Sequence, residues 1–315
     1  METYPYTFEP IYVEKIWGGR NLERLFGRVL PDGSKIGESW ELADLPQGVS
    51  VVSNGPTAGT TLTELTQRLG AKLLGDASAV DGRFPLLLKL LDANDILSLQ
   101  VHPDAAAVEE IGPAAALKTE CWYVLESRGG YIYKGVRAGV EAQQFREAIG
   151  NDTVEQFVRR FDVAAGDFHY LPAGTVHALG AGVVVAEVQT PSDTTYRVTD
   201  WGRGREIHVD RSMQCIHFEP PAGTPGADGQ TLLATEFFTV ARRSVRGSSQ
   251  SLPAGRCAAV MVLAASGGSR IRCAGQVVAV AAGQTVLLPA ALKETCLESD
   301  GTCTWLEITL GESTS

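Results

Sequence analysis

Two histidines, a glutamate and a glutamine in this sequence carry the atoms needed to hold a divalent cation. In Leu97-Ser98-Leu99-Gln100-Val101-His102-Pro103 apolar and polar residues alternate, so a strand here presents Ser98, Gln100 and His102 on one face. A hydroxyl, an amide and an imidazole on one face of a buried strand are costly unless something binds them. Lys118-Thr-Glu-Cys-Trp122 opens the next strand with Lys118 and Glu120 on one face. Further on, Pro172-Ala-Gly-Thr-Val-His177 ends in a histidine that a proline-bounded turn holds rigidly at a strand end. Gln100, His102, Glu120 and His177 together offer two nitrogens and two oxygens. That set suits one Zn²⁺ per chain, with Mn²⁺, Co²⁺ or Fe²⁺ as substitutes; four unrelated polar side chains lining a barrel are the other reading.

Cationic and aromatic residues surround these motifs in the sequence. Lys118 and Arg197 would place positive charge beside the site; a structural ion pair of Arg197 with Asp193 or Asp200 is the alternative. Lys89 stands in the apolar run Leu86 to Leu91, where it either aims into a barrel or snorkels to the surface. Trp17, in Lys15-Ile-Trp-Gly-Gly19, is either a pocket wall or a core residue. Ser98 and Glu187 complete the candidate substrate contacts. Glu187, Lys118, Glu38 and a metal-bound water are all open as the proton-transferring base. His169, His208 and His217 belong to no constellation and receive no role.

Short strands must position these residues. Cys121 to Leu125, Gly130 to Tyr133, Gly166 to Leu171, Val183 to Val188, Val260 to Ala264 and Thr285 to Leu288 are rich in β-branched and aromatic residues and bounded by turn formers. Helical spacing is confined to Leu62 to Leu74 after Thr61, Ala105 to Ile111, Val140 to Ile149 and Val154 to Phe161. Val163-Ala-Ala-Gly-Asp-Phe-His-Tyr-Leu-Pro-Ala173 recurs as Val280-Ala-Ala-Gly-Gln-Thr-Val-Leu-Leu-Pro-Ala290 without a gap, which reads as a duplicated β-barrel unit. The first copy, extended to Gly166-x5-Pro172-x-Gly174-x2-His177, is similar to the second conserved segment of the cupin family, whose histidine is a metal ligand. That family's further asparagine falls at Ala181 here. In the second copy Glu294 falls opposite His177 and Ala291 opposite Gly174. The expected fold is therefore mainly β, with two cupin (double-stranded β-helix, jelly-roll) barrels per chain and a few short helices on loops. The segment Pro220 to Gly229 is dense in Pro and Gly and is expected to link a catalytic domain, 1–220, to a smaller metal-free β domain, 230–315.

The formal net charge of −10 argues against nucleic acid and anionic membrane surfaces as partners, while a few local cations are enough to hold one phosphate. No apolar run approaches the length of a bilayer span. The start Met1-Glu-Thr-Tyr-Pro-Tyr lacks a basic region and an apolar core, and the six cysteines include no C-x-x-C pair. A cytoplasmic protein with reduced thiols, monomeric or homodimeric, is expected.

Phe84-Pro-Leu-Leu-Leu-Lys-Leu-Leu-Asp92, Leu97 to Asp104, Lys118-Thr-Glu-Cys-Trp-Tyr123, Ile36-Gly-Glu-Ser-Trp-Glu41 and Gln189-Thr-Pro-Ser-Asp-Thr-Thr-Tyr-Arg-Val-Thr-Asp200 resemble, in collinear order, the conserved blocks of the type I phosphomannose isomerases. The short spacing from Glu120 to His177 is similar to the short bacterial form. The resemblance implies interconversion of mannose 6-phosphate and fructose 6-phosphate, with Gln100, His102, Glu120 and His177 around a catalytic zinc and Arg197 as the catalytic arginine. Moving a hydrogen between C1 and C2 develops negative charge on the adjacent oxygens, which a divalent metal and nearby cations stabilise. Two other readings stay open: a cupin dioxygenase, which would want His-x-His where this chain has Gln100-x-His102, and a non-catalytic sugar-binding cupin.

Overall fold

Leu87–Ala93 and Val183–Gln189 are the two central strands of a six-stranded antiparallel sheet, and every residue in both is buried. The sheet runs Phe168–Leu171, Glu120–Ser127, Val183–Gln189, Leu87–Ala93, Ile36–Leu42, Ile11–Gly19. Leu88, Leu90, Val184, Ala186 and Val188 face one core; Leu91, Ala93, Val183 and Val185 face another, with Trp17, Trp122 and Leu179. Covering both faces removes the polar–apolar alternation of a half-exposed strand, so these strands read as plain apolar runs in the sequence. Lys89 and Glu187 share the parity of the second set, as do Glu120, Trp122 and Val124, and so point the same way, toward that second core.

This computed structural model describes residues 2–219 and 223–311; Pro220, Pro221 and Ala222 of the expected linker lie outside the described residues. Facing the first sheet is a five-stranded antiparallel sheet in the order Val158–Asp162, Tyr131–Val136, His177–Leu179, Leu99–Val101, Tyr196–Thr199. Its outer face is covered by Phe145 and Ile149 of helix Ala142–Gly150, Ala107 of Ala105–Ile111 and Cys215 of Val209–Cys215. The pairings His177↔Gln100 and Arg197↔Gln100 bring three of the singled-out residues onto adjacent strands.

The third large sheet has eight strands, dominated by the long pair Phe238–Ser251 and Cys296–Leu310. One face of it shares the core of the six-stranded sheet through Phe238, Val240, Met261, Leu306 and Ile308. Its other face closes on Trp305, Val260, Val286 and Leu297. Tyr6–Thr7 crosses over to pair with Thr285–Leu288 at the sheet's edge, which ties the N-terminal residues to the C-terminal sheet.

The sequence repeat corresponds to the same turn built twice. In the first copy Gly166 N–H donates to Val124 O (2.8 Å) and Asp167 N–H to Ala164 O (3.1 Å); in the second Gly283 N–H donates to Val262 O (2.8 Å) and Gln284 N–H to Ala281 O (3.1 Å). Asp167 Oδ2 accepts from Ala164 N–H, and Gln284 Oε1 from Ala281 N–H, each at 2.8 Å. The strands that follow also pair alike, Leu171 opposite Glu120 and Leu288 opposite Ala258. The C-terminal counterpart of Glu120 is thus an alanine.

Two helix expectations change. Gly70, at φ 51°, divides the expected Leu62 to Leu74 helix into Leu62–Leu69 and Ala71–Leu74, the first closed by the Thr61–Glu64 capping box. Val154 to Phe161 is not a helix. Val154–Phe157 makes one 3₁₀ turn, and Val158–Asp162 is an edge strand paired with Tyr131–Val136. A segment this short has too little helical stability to resist a neighbouring strand that offers a ladder. Among the described residues no helix is long and apolar enough to cross a membrane.

Candidate active site

Each imidazole at the site is fixed through its δ nitrogen. His102 Nδ1–H donates to the Thr194 carbonyl (2.9 Å), and His177 Nδ1–H to the Thr175 carbonyl (2.8 Å), which turns both Nε2 atoms toward the site. These nitrogens stand 3.4 Å and 3.2 Å from the two oxygens of Glu120. All three side chains are essentially inaccessible, and their donor atoms converge within 4.8 Å. Thr175 belongs to the turn after Pro172, so the sequence around His177 orients its own ring. Thr194 is held from a distance: Ser192 Oγ donates to Ala116 O (3.2 Å), Ala116 N–H to Thr194 Oγ1 (3.2 Å), and Gln189 Nε2 to Ser192 O (2.6 Å). The segment Gln189 to Thr194 thereby presents the carbonyl that sets the His102 tautomer.

Neither oxygen of Glu120 has a hydrogen-bond partner. Lys118 Nζ forms an ion pair with Oε2 (2.9 Å) and donates to His102 Nε2 (3.0 Å). Burial alone would raise the Glu120 carboxyl; the Lys118 ammonium outweighs it and holds it well below the usual carboxylate range. Burial and then Lys118 push the His102 imidazole down to about 3, so it is neutral, the form that can bind a metal. Gln100 Nε2 is 3.3 Å from His177 Nε2, and a half-turn of the amide exchanges its nitrogen for its oxygen. Two imidazole Nε2 atoms, a buried carboxylate and an adjacent amide fit a Zn²⁺-type ion.

A cavity of about 400 Å³ opens beside this cluster, a volume within the range that small-molecule sites use. Trp17, Lys89, Ser98, Gln100, Lys118, Glu187 and Arg197 all line it. His102, Glu120 and His177 lie behind Gln100 and Lys118. Lys89 does not snorkel. It is 6% exposed, with Nζ 3.2 Å from Glu187 Oε1 and 3.5 Å from Glu38 Oε2. Each of these carboxylates is also held by an indole: Trp122 Nε1–H donates to Glu187 Oε2 (2.8 Å) and Trp40 Nε1–H to Glu38 Oε2 (2.7 Å). Burial opposes ionisation of Glu38, but Lys89 and Lys15 hold its carboxyl down to about 2. Glu187 moves the other way: burial and the charge of Glu120 raise it, and its Oε1 has no hydrogen-bond partner. Trp17 serves both readings, lining the cavity and packing in the core with Leu91, Trp122 and Leu179.

Arg197 pairs with neither Asp193 nor Asp200. Its Nη1 donates to the Glu206 carbonyl (2.6 Å), and its Nε is buried without a partner. Asp200 is taken instead by Arg205 (Nε to Oδ2, 3.0 Å) and Arg203 (Nη2 to Oδ1, 3.0 Å). Sequence reasoning missed Arg205, which lines the cavity, and the indole partners of the two glutamates. The Glu38–Trp40 pair was readable, since residues two apart on a strand share a face. Trp122–Glu187 depends on cross-strand register and left no local signal.

Residues 6–124 match the family model for phosphomannose isomerase type I, catalytic domain. The chain is 37% identical over 312 residues to a mannose-6-phosphate isomerase of Streptococcus mutans, a match covering 93% of this chain and 96% of the relative. Its fold superposes on the crystal structure of the mannose 6-phosphate isomerase from Bacillus subtilis with a TM-score of 0.86 at 30% identity, covering 98% of this chain and 99% of the other. It also shares its fold with a mannose 6-phosphate isomerase crystallised with zinc and yttrium, at a TM-score of 0.78 and 16% identity over 98% of this chain and 99% of that one. With near-complete coverage in both directions, the chain belongs to the type I phosphomannose isomerase family.

Proposed function

We propose that this chain interconverts mannose 6-phosphate and fructose 6-phosphate at the cavity beside His102, Glu120 and His177. The observation that carries this reading is the convergence of two imidazole Nε2 atoms on a buried carboxylate with no hydrogen-bond partner. His102, Glu120 and His177, with Gln100 through its amide oxygen, would hold one Zn²⁺, or Mn²⁺, Co²⁺ or Fe²⁺ in its place. When bound, the ion supplies Lewis-acid polarisation of the substrate's neighbouring oxygens. Arg197 and Lys118 place fixed positive charge where negative charge develops during the reaction. Glu187 takes the C2 proton of the aldose and returns it to C1, while a hydroxyl proton moves from O2 to O1: Glu187 lies in the cavity, its Oε1 is held only by an ion pair with Lys89 (3.2 Å), and it is the less acidic of the two candidate glutamates. Glu38, saturated by Lys15, Lys89 and Trp40, is too acidic for that task. Trp17, Lys89 and Ser98 shape the sugar pocket. Iron–oxygen chemistry and passive sugar binding have no comparable support.

The test is a coupled assay of fructose 6-phosphate formation from mannose 6-phosphate. Dialysis against a chelator should abolish turnover, and Zn²⁺ should restore it. Full activity in protein shown to be metal-free would overturn the proposed centre.

We also read the architecture as two cupin barrels, a catalytic unit over 1–220 and a metal-free unit over 230–315. The repeated turn and the Ala258 counterpart of Glu120 support this. Metal analysis should give one ion per chain. Glu294→Ala, at an exposed position, should leave zinc content and turnover within about twofold, as surface substitutions change stability by only ~0.5 kcal/mol. Two ions per chain would contradict the reading. A cytoplasmic location fits the six free cysteines, five of them buried.

A further inference from the structure

His208 has no counterpart among the site motifs, yet it closes on Arg197 from the edge of the sheet. Tyr196–Thr199 is an outermost strand of the five-stranded sheet, and its register against Leu99–Val101 shifts between Arg197 and Thr199. Bulges of this kind re-aim a side chain, and they leave backbone groups that the regular ladder does not serve. At Arg197 both groups are taken by one residue. The Arg197 carbonyl accepts from the His208 backbone N–H (2.7 Å), and the Arg197 N–H donates to His208 Nδ1 (3.0 Å). A further strand would make this pair with its own N–H and C=O; here an imidazole nitrogen substitutes for the carbonyl.

The residues around His208 keep it in place. Its own carbonyl accepts from Ser212 N–H (2.7 Å) in the first turn of Val209–Cys215, and Cys215 at the far end of that helix is buried in the core on the sheet's outer face. The ring meets Tyr196 edge-on at 6.0 Å. The same short segment also reaches the arginine side chain, since Glu206 O accepts from Nη1 at 2.6 Å. The loop 206–208 thus holds Arg197 at three points: the carbonyl, the amide and the guanidinium.

We propose that His208 is a positioning residue for Arg197, fixing the bulged backbone from which the guanidinium reaches the cavity. The proposal rests on the reading of Arg197 as the group that stabilises developing charge. A displaced charge donor is weaker in the transition state and changes substrate binding less, so the effect belongs in kcat more than in KM. The same geometry specifies which replacement works. Asparagine places an amide oxygen near the Nδ1 position and can accept from Arg197 N–H. Glutamine carries its amide further out, toward the Nε2 position, and cannot.

The test is steady-state kinetics with mannose 6-phosphate on the metal-loaded full chain, with metal content and thermal unfolding measured for each variant. His208→Ala should lower kcat by about 10²-fold, the scale set by ångström-size misplacement. Its KM should move less than about threefold if transition-state stabilisation is what is lost. His208→Asn should recover most of the loss and His208→Gln little of it. In an Arg197→Ala background, His208→Ala should cost nothing further, because its route to the chemistry is gone. An undiminished additional loss in that background would overturn the proposal and assign His208 to the fold in general. Equal activity of the Asn and Gln variants would overturn the Nδ1 assignment, and that pair decides the matter if His208→Ala does not fold. Near-normal turnover of Arg197→Ala alone would instead overturn the reading of Arg197, a result distinguishable from both.

Discussion

His177→Ala should lose nearly all bound metal and at least about 10³-fold in turnover while remaining folded, since a Lewis-acid ion contributes several kcal/mol to a barrier. The variant keeps His102 and Glu120 but loses one of the two imidazole nitrogens that converge on the carboxylate. Of the three ligands that remain only one is an imidazole, and the third is the neutral amide of Gln100, which faces His177 itself, so the remaining donor set is too weak for a zinc-type ion. The structural cost is bounded. His177 lies within none of the apolar clusters that close the barrel and cover its outer sheet, though its ring stands edge-on to Trp122 at 5.5 Å. A buried large-to-small change of this kind costs about 2–4 kcal/mol, against a typical stability of roughly 5–15 kcal/mol. Metal analysis by elemental mass spectrometry, with circular dichroism and thermal unfolding on the same sample, separates the two losses. Stoichiometric zinc with near-normal turnover in a folded variant would sink the centre; an unfolded chain would show that the site also staples the barrel.

The candidate metal ligands were legible because each sits in a short local pattern. Gln100 and His102 come from alternation on one strand, Glu120 from the start of the next, and His177 from the proline-bounded turn that orients its own ring through Thr175. The duplicated turn was legible for the same reason, since the side-chain bond that caps it closes within four residues in both copies. What the sequence concealed is carried by partners far apart in the chain. The Thr194 carbonyl that sets the His102 tautomer is 92 residues away from it, and the Trp122 indole that anchors Glu187 is 65 residues from its partner. Tyr6–Thr7 joining the C-terminal sheet is a pairing of the same kind. Val158–Asp162 was misread because an eight-residue amphipathic pattern fits a half-buried edge strand as readily as a helix. Lys89 was left ambiguous because strands buried on both faces carry no alternation to assign its direction.

Arg197→Ala should keep its metal and lose turnover by ~10²-fold or more, the scale of deleting one preorganised charge donor. The two halves of this expectation come from separate observations. Metal retention follows because the Arg197 guanidinium donates to the Glu206 carbonyl and is not within hydrogen-bonding reach of His102, Glu120 or His177. Loss of turnover follows because Arg197 lines the cavity with a buried Nε that no protein group satisfies, a costly arrangement unless a substrate oxygen meets it. The backbone should not collapse in the variant, since the bonds from Arg197 to His208 involve only main-chain atoms of residue 197. kcat and kcat/KM should therefore fall together, the pattern of an interaction made chiefly in the transition state. Arg197→Lys should rescue only in part, because an ammonium supplies the charge without the planar fork and without an equivalent of Nε. A variant that lost zinc along with activity would mean that Arg197 supports the metal shell. One that lost stability with kcat unchanged would return it to the structural role that its neighbours Arg203 and Arg205 already fill around Asp200.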